Sequence, residues 1–174
     1  MFFHLHIGIF AHLHIVKRTL TNNMYKDILD QLPYKSSFRF VDHITALDED
    51  GVTGDYTLRP DSFFYEDHFV GNPVTPGVII TEIMAQIGLV VLGIFLLSQE
   101  GTPGKGETNF PLFTSTDISF HKIVLPGEKV TVVSKKQYFR FGKLKCYVEM
   151  WDSSNDLIAK GMFSGIVKKV GIKR

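Results

Sequence analysis

The chain of 174 residues contains a single cysteine, Cys146, and almost no excess of charge of either sign. One cysteine cannot form a disulfide within the chain, so an oxidising compartment is not implied. The 19 basic and 18 acidic side chains leave a formal net charge of +1, which argues against binding to nucleic acid through a basic field. After residue 24 the sequence also lacks nucleotide-binding glycine signatures, a nucleophile elbow and metal-ligand Cys/His spacings.

The overall composition is that of a globular protein. Hydrophobic residues make up 44% of the chain and charged residues 21%, and there are 15 phenylalanines. A chain of this length favours one domain that buries a large core.

The first 23 residues differ from the rest of the chain. They are apolar but do not resemble a secretory signal, because Lys17 and Arg18 follow the apolar stretch, which is also too short for a membrane span. The tetrapeptide HLHI occurs twice there, and its histidines could bind a metal: His4, His6, His12 and His14. We favour the interpretation that residues 1–23 are a non-functional extension and that the functional domain spans 24–174.

The remaining sequence alternates between strand signals and one long apolar run. Helical spacing predicts a short helix over 24–32, and Glu49-Asp50-Gly51 predicts a hairpin turn between extended runs. The predicted strands are 37–48, 51–60, 112–125, 128–141, 143–152 and 157–170. Short separators between the late strands predict an antiparallel meander. We therefore predict an α+β fold in which a mostly antiparallel sheet surrounds one helix.

The apolar run from Val78 to Leu97 is long enough to span a membrane. However, it contains Glu82 and Gln86, and a carboxylate in lipid costs several kcal/mol. We therefore expect this helix to be buried by the sheet rather than by lipid.

Residues around the start of this helix indicate a catalytic site. His68 lies in a Gly/Pro-rich loop, and Glu82 lies within the buried helix. Thr75 is a plausible N-cap, and the amide of Gly77 would then be an unpaired donor at the positive end of the helix. A histidine, a shielded carboxyl and a free amide are the groups needed to remove a proton next to a carbonyl.

The stretch 68–86 reads HFVGNPVTPGVIITEIMAQ. It resembles the signature of the FabZ-type 3-hydroxyacyl-acyl carrier protein dehydratases, approximately HFPxxPxxPGVxxxEAMAQ. The motifs FRFVD at 38–42 and SFHKIVLPGE at 119–128 resemble further family motifs. The sequence departs from the family at several positions: Asp67 replaces a glycine, Val70 a proline, Tyr34-Lys35 a His-Arg pair and His43 an arginine.

This resemblance implies a hotdog fold, a curved antiparallel sheet wrapped around a long helix. It implies dimers, or trimers of dimers, with His68 and Glu82 of each active site coming from different protomers. The implied reaction is dehydration of a (3R)-3-hydroxyacyl thioester to the trans-2-enoyl thioester, without a metal or organic cofactor. His68 would be the base, Gly77 would polarise the carbonyl, Glu82 would be the acid and Gln86 would orient Glu82.

The resemblance also implies a partner, an acyl carrier protein with a phosphopantetheine-linked acyl chain, and a cytoplasmic enzyme of lipid metabolism. We expect four residues to contact the acyl chain: Phe64, Met84, Gly88 and Phe113. Lys122 and Arg140, in a basic patch of the late strands, are the expected carrier contacts. A hotdog acyl thioesterase and a non-catalytic acyl-binding hotdog subunit remain the alternatives, and a specialised polyene or pigment pathway is an alternative setting for the same chemistry.

Overall fold

The computed structural model describes residues 21, 23–100 and 108–170. The chain divides into two compact units, Met1–Gln31 and Leu32–Arg174. In the first unit, residues 23–30 form the short helix that the spacing predicts. The predicted extension and its HLHI histidines lie outside the described residues, apart from residues 21 and 23.

The second unit contains a six-stranded sheet in which every neighbouring pair is antiparallel. Its strands are β1 (His43–Leu47), β2 (Gly51–Thr57), β3 (Thr108–Phe120), β4 (Lys129–Arg140), β5 (Lys143–Asp152) and β6 (Leu157–Val170). The order across the sheet is β1-β2-β4-β5-β6-β3. Strand β5 alternates buried and half-exposed residues, because one face of the sheet covers the core.

The meander prediction holds for β4, β5 and β6 and is wrong for β3. Among the described residues strand β3 pairs with β6 alone, while β4 pairs with β2 and β5. The strand predicted over 112–125 ends at Phe120, and the following segment forms a loop whose Val124 is fully buried. Strands β3 and β4 are therefore not neighbours joined by a two-residue turn, and β3 lies at the edge of the sheet.

The apolar run forms the central helix, Gly77–Gln99. It consists of an α-helical part, Gly77–Ala85, a π-helical segment, Gln86–Val91, and a second α-helical part, Leu92–Gln99. By length and composition it could cross a membrane, but 78% of its most apolar stretch of 18 residues is buried inside the protein. It is therefore a core helix enclosed by the sheet, as the carboxyl and amide within it predict.

The helix begins one residue later than expected. Pro76 is the N-cap, and its carbonyl accepts hydrogen bonds from the amides of Ile79 and Ile80 at 2.9 and 3.1 Å. Thr75 does not cap the helix, because its hydroxyl is bonded instead to the Tyr65 hydroxyl at 2.7 Å.

The contact at Gly88 gives a stability prediction. A Cβ added there would lie 2.9 and 3.0 Å from the two methyl groups of Val148 and 3.3 Å from Cβ of Ser134. We expect Gly88→Ala to lower the free energy of unfolding by about 1–3 kcal/mol, because the helix must move off the sheet. Chemical denaturation measures this change.

Gly93→Ala is the matched control on the same helix, because its Cβ would meet only Leu144 Cδ2, at 3.8 Å. This variant should be neutral or stabilising, since alanine favours helix over glycine by about 1 kcal/mol. Equal destabilisation of the two variants would contradict the packing argument.

Candidate active site

The Glu82 carboxyl lies in the first part of the central helix and is half-buried. Burial raises its pKa above the ordinary value, because desolvation disfavours the charged form, whereas a hydrogen bond from Gln86 acts in the opposite direction. This bond joins Gln86 Nε2 to Glu82 Oε1 at 2.8 Å. The environment therefore favours a carboxyl that keeps its proton to higher pH than one in water.

The Gln86 side chain is fully buried, and its contacts fix the orientation of its amide. Its Oε1 accepts a hydrogen bond from the Phe40 amide at 2.8 Å, and its Nε2 donates to the Phe38 carbonyl at 2.8 Å as well as to Glu82. Because Oε1 faces a donor, Nε2 must be the group directed at Glu82. The prediction that Gln86 supports Glu82 thus has a geometric basis.

Glu82 lines a partly open cavity between the helix and the sheet. The lining residues are Tyr34, Glu82, Ala85, Leu89, Val90, Gly93, Pro111, Leu112, Phe113, Gly142, Leu144, Gly165 and Ile166. Of these side chains only Tyr34 and Glu82 carry polar atoms. A mostly apolar cavity with a few polar groups at one place is typical of a site for an apolar ligand with one reactive centre.

His68 lies in the loop before the helix and is half-buried. Its Nδ1 is 3.0 Å from the carbonyl oxygen of Val74, and its ring stacks on Phe69 with centroids 4.0 Å apart. A carbonyl can only accept, so Nδ1 carries the proton and Nε2 is the unprotonated nitrogen of the neutral ring. This tautomer presents a free base at Nε2.

The loop that carries His68 is fixed at several points. The Val74 amide donates to the His68 carbonyl at 3.0 Å, and the Thr75 amide donates to the Val124 carbonyl at 2.8 Å. The buried hydroxyl pair of Tyr65 and Thr75 ties the loop to the preceding 3₁₀ helix, Phe63–Tyr65. Both ends of the loop are therefore held, which positions the imidazole.

Gly77 is the first residue of the central helix and is exposed. The helix cannot use the amides of its first turn, so this N–H is available at the positive end of the helix dipole. A Cβ at this position would lie 3.3 Å from the ring of Phe120. Glycine therefore leaves the approach to this amide less crowded than any other residue would.

Within the chain, the predicted residues do not all meet. His68 is not among the residues that line the cavity of Glu82. Phe113 lines that cavity, as its prediction as an acyl contact requires. The other three predicted acyl contacts do not: Met84 is fully buried, Gly88 packs on Val148, and Phe64 is buried against Tyr65 with ring centroids 4.5 Å apart. For these three residues the structure favours a core role.

The two predicted carrier contacts are not part of one patch within the chain. Lys122 binds Asp152 and, at 2.8 Å, Asp156, whereas Arg140 lies over the ring of Phe141 at 5.4 Å in the β4–β5 hairpin. Arg140 pairs with Lys143 at one end of β5, and Asp152 is at the other end. About 30 Å of extended strand separates the two ends. Lys122 precedes strand β4 and Arg140 ends it, so these two residues are near in the sequence but lie at opposite ends of the strand.

No metal site is formed in the part of the chain that the structure describes, since no group of three or more His, Cys, Asp or Glu residues is placed to hold an ion. The four HLHI histidines, the alternative metal ligands, are not among these residues.

Sequence reasoning missed Tyr34 and Gly93 as cavity residues. Burial and the nearby Glu82 carboxylate raise the pKa of the Tyr34 hydroxyl, so it remains a hydrogen-bond donor beside that carboxyl. Its departure from the family motif was a signal that could have identified Tyr34. Gly93 had no such signal, because a glycine within an apolar run does not show which face of the helix it occupies.

Comparisons with known proteins agree with this geometry. The FabA-like domain family matches residues 32–151. The chain is 37% identical over 128 residues to the 3-hydroxyacyl-acyl-carrier-protein dehydratase FabZ of Caldicellulosiruptor saccharolyticus, covering 70% of this chain and 86% of that protein. It is 32% identical over 129 residues to the FabZ of Lactobacillus helveticus, covering 72% and 82%.

Solved structures share the fold. The dehydratase heterocomplex ApeI:P from Xenorhabdus doucetiae matches with a TM-score of 0.67 at 13% identity, over 80% of this chain and 90% of that chain. A hypothetical thioesterase from Streptococcus pneumoniae, solved with coenzyme A, matches with a TM-score of 0.56 at 12% identity, over 83% and 96%. At these identities the likeness shows the hotdog fold alone.

The raised pKa of Glu82 predicts how stability depends on pH. The pKa of this carboxyl is higher in the folded state than in the unfolded state. The free energy of unfolding of the protein therefore falls as the pH rises from the ordinary pKa of the carboxyl through the raised pKa. Glu82→Gln removes the charge, so this variant should gain stability over the wild type across that interval. Below it, where the carboxyl is protonated in both states, the electrostatic gain should disappear.

Urea denaturation at a series of pH values measures this difference. Glu49→Gln, at an exposed position, is the control and should show a difference that changes little with pH. A gain for Glu82→Gln that is the same at every pH would show that packing, not ionisation, is responsible.

Proposed function

The chain belongs to the FabA-like domain family, and on this premise we propose that it is a 3-hydroxyacyl-acyl carrier protein dehydratase of fatty acid or related polyketide or polyene biosynthesis. The substrate is a (3R)-3-hydroxyacyl thioester and the product is the trans-2-enoyl thioester. The observation that carries the proposal is the half-buried Glu82 carboxyl, oriented by Gln86 at one apolar cavity. A carboxyl that keeps its proton is suited to act as an acid on a substrate with an apolar chain.

The reaction begins at His68. Its unprotonated Nε2 takes a proton from C2 of the acyl chain, while Nδ1 stays bonded to the Val74 carbonyl. The carbanion is delocalised onto the thioester oxygen as an enolate. The Gly77 amide, at the positive end of the central helix, donates a hydrogen bond to that oxygen as its charge develops.

Glu82 completes the reaction. Its carboxyl donates its proton to the 3-hydroxyl, the C3–O bond breaks, and water leaves as the double bond forms between C2 and C3. The proton on His68 is then lost and the Glu82 carboxylate is reprotonated, so the enzyme returns to its starting state. Gln86 remains bonded to Glu82 and keeps its proton-donating oxygen directed into the cavity.

We propose a homodimer, or a trimer of such dimers, in which His68 of one protomer and Glu82 of its partner form each site. Edge strand β3 supports this arrangement: from residue 111 to 120 no side chain is buried. Large apolar side chains are also exposed around the His68 loop and the start of the helix: Phe69, Val70, Val78, Phe120 and Ile123. A strand edge with no partner among the described residues, beside exposed apolar side chains, favours pairing with a second copy.

The proposed partner is an acyl carrier protein that delivers the acyl chain on a phosphopantetheine arm, and the proposed location is the cytoplasm. The thioester must reach Gly77, so the carrier would dock near the start of the central helix. Lys122 lies two residues from Val124, which bonds to Thr75 at that end. Of the two predicted carrier contacts, the geometry therefore favours Lys122 over Arg140, although two carboxylates already neutralise Lys122.

The thioesterase alternative is not favoured, because structural neighbours of that name share only the fold with this chain. A non-catalytic acyl-binding role is also disfavoured, since His68 and Glu82 are both present. The product decides between the activities: a dehydratase forms an enoyl thioester, and a thioesterase releases free acid and thiol.

We expect His68→Ala and Glu82→Gln each to lower kcat for dehydration by about 10²–10⁴-fold, the usual effect of losing a general base or acid. Enoyl thioester formation from a hydroxyacyl thioester measures this loss. Glu49→Gln, at an exposed position, is the control and should keep wild-type turnover. Near-wild-type activity in either site variant would show that its assigned role is wrong.

The shared site predicts complementation between the two inactive variants. In a mixed dimer of His68→Ala and Glu82→Gln, one site carries both substitutions and the other carries neither. Random assortment after co-expression should therefore restore about a quarter of wild-type activity, as two-fold symmetry requires. If the mixture stays inactive while mass measurement shows mixed dimers, both residues of a site come from the same protomer.

A further inference from the structure

The cavity at Glu82 follows one face of the central helix. Its helical lining residues are Glu82, Ala85, Leu89, Val90 and Gly93. Glu82 and Gly93 are eleven positions apart, which corresponds to about 16 Å along a helix. The cavity therefore has a reactive end at Glu82 and a far end at Gly93.

The far end is built from apolar or side-chain-free residues. Gly142 and Leu144 reach it from the β4–β5 hairpin, and a Cβ on Gly93 would lie 3.8 Å from Leu144 Cδ2. Neither residue has a polar side chain, so this end offers no side-chain partner to a charged or hydrogen-bonding group. It suits a hydrocarbon tail.

Gly93 is buried in the interior of an α-helical segment, where glycine is an unfavourable residue. Its backbone does not require glycine, because it follows ordinary helical geometry and is not among the positive-φ positions. The space beside it also does not require glycine, because the Leu144 contact is an ordinary van der Waals distance. Gly88 on the same helix differs, since a Cβ there would collide with Val148.

We infer that Gly93 is a specificity-determining residue whose missing side chain keeps the far end of the cavity open to the distal part of a long acyl chain. The inference rests on the proposed function for the identity of the ligand. A larger residue at position 93 projects into the cavity at a distance from Glu82 that a short chain does not reach. The length of the chain, rather than the chemistry at C2 and C3, is what this position selects.

The experiment measures kcat/KM of the full-length protein for 3-hydroxybutyryl and 3-hydroxypalmitoyl thioesters in a graded series: Gly93→Ala, Gly93→Met and Gly93→Leu. The ratio of long-chain to short-chain kcat/KM should fall with side-chain size, by about tenfold or more for leucine, since pocket volume discriminates by such factors per excluded group. Ile94→Leu, the neighbouring residue outside the cavity lining, is the matched control and should leave the ratio unchanged. Thermal melting of each variant reports folding separately.

A ratio that stays constant across the series, with wild-type turnover of both substrates, would overturn the inference and leave the proposed function intact. If the leucine variant does not fold, the alanine and methionine variants still give the trend. Binding of the long-chain enoyl thioester by calorimetry separates the two proposals. If Gly93→Met binds this ligand more weakly than the wild-type protein does, and the wild-type protein dehydrates neither substrate, the cavity inference is supported and the proposed dehydratase activity is refuted.

Discussion

The buried amide of Gln86 is the interaction on which the arrangement of the site depends. One side chain binds the backbone of Phe38 and Phe40 and the carboxyl of Glu82, each at 2.8 Å. It joins the segment that carries Tyr34 to the helix that carries the acid, and it fixes one carboxyl oxygen. A buried amide group left without a hydrogen-bond partner costs about 1–3 kcal/mol of folding stability. The bonds of Gln86 avoid this cost, and the same bonds orient the Glu82 carboxyl. Stability and preorganisation are inseparable at this residue.

The π-helical segment, Gln86–Val91, contributes Leu89 and Val90 to the cavity lining. It inserts wider turns between two α-helical parts, and such segments often occur at functional sites. Residues before, within and after this segment line one cavity, among them Glu82, Leu89 and Gly93. The central helix is apolar nearly all round, and the sheet encloses most of it. The cavity extends along the helix from the acid towards the β4–β5 hairpin, and four of its lining residues have little or no side chain: Ala85, Gly93, Gly142 and Gly165.

Much of the fold could be predicted from the sequence because its signals are local. The apolar run with Glu82 and Gln86 predicts a buried helix, and the extended run 143–152 between short separators predicts strand β5. The pairing of β3 could not be predicted, because a loop whose Val124 is buried looks like more strand. The confirmed hotdog fold came from a resemblance, not from periodicity. The acyl contacts show the same limit: the structure places Phe113 at the cavity and Met84 in the core, and the apolar character of a side chain does not show which of the two it contacts.

Edge strand β3 connects the cavity to the proposed assembly. Pro111, Leu112 and Phe113 of this strand form one wall of the cavity, while the strand's other edge lacks a partner among the described residues. A second copy paired along that edge would add rigidity to the wall and cover Leu112 and Phe113, which are both nearly half exposed. His68 lies outside the cavity of its own chain, so the same pairing would bring a base to each acid. Formation of the acyl cavity and completion of the catalytic pair would then be one event, and an isolated protomer would have an acid without its base.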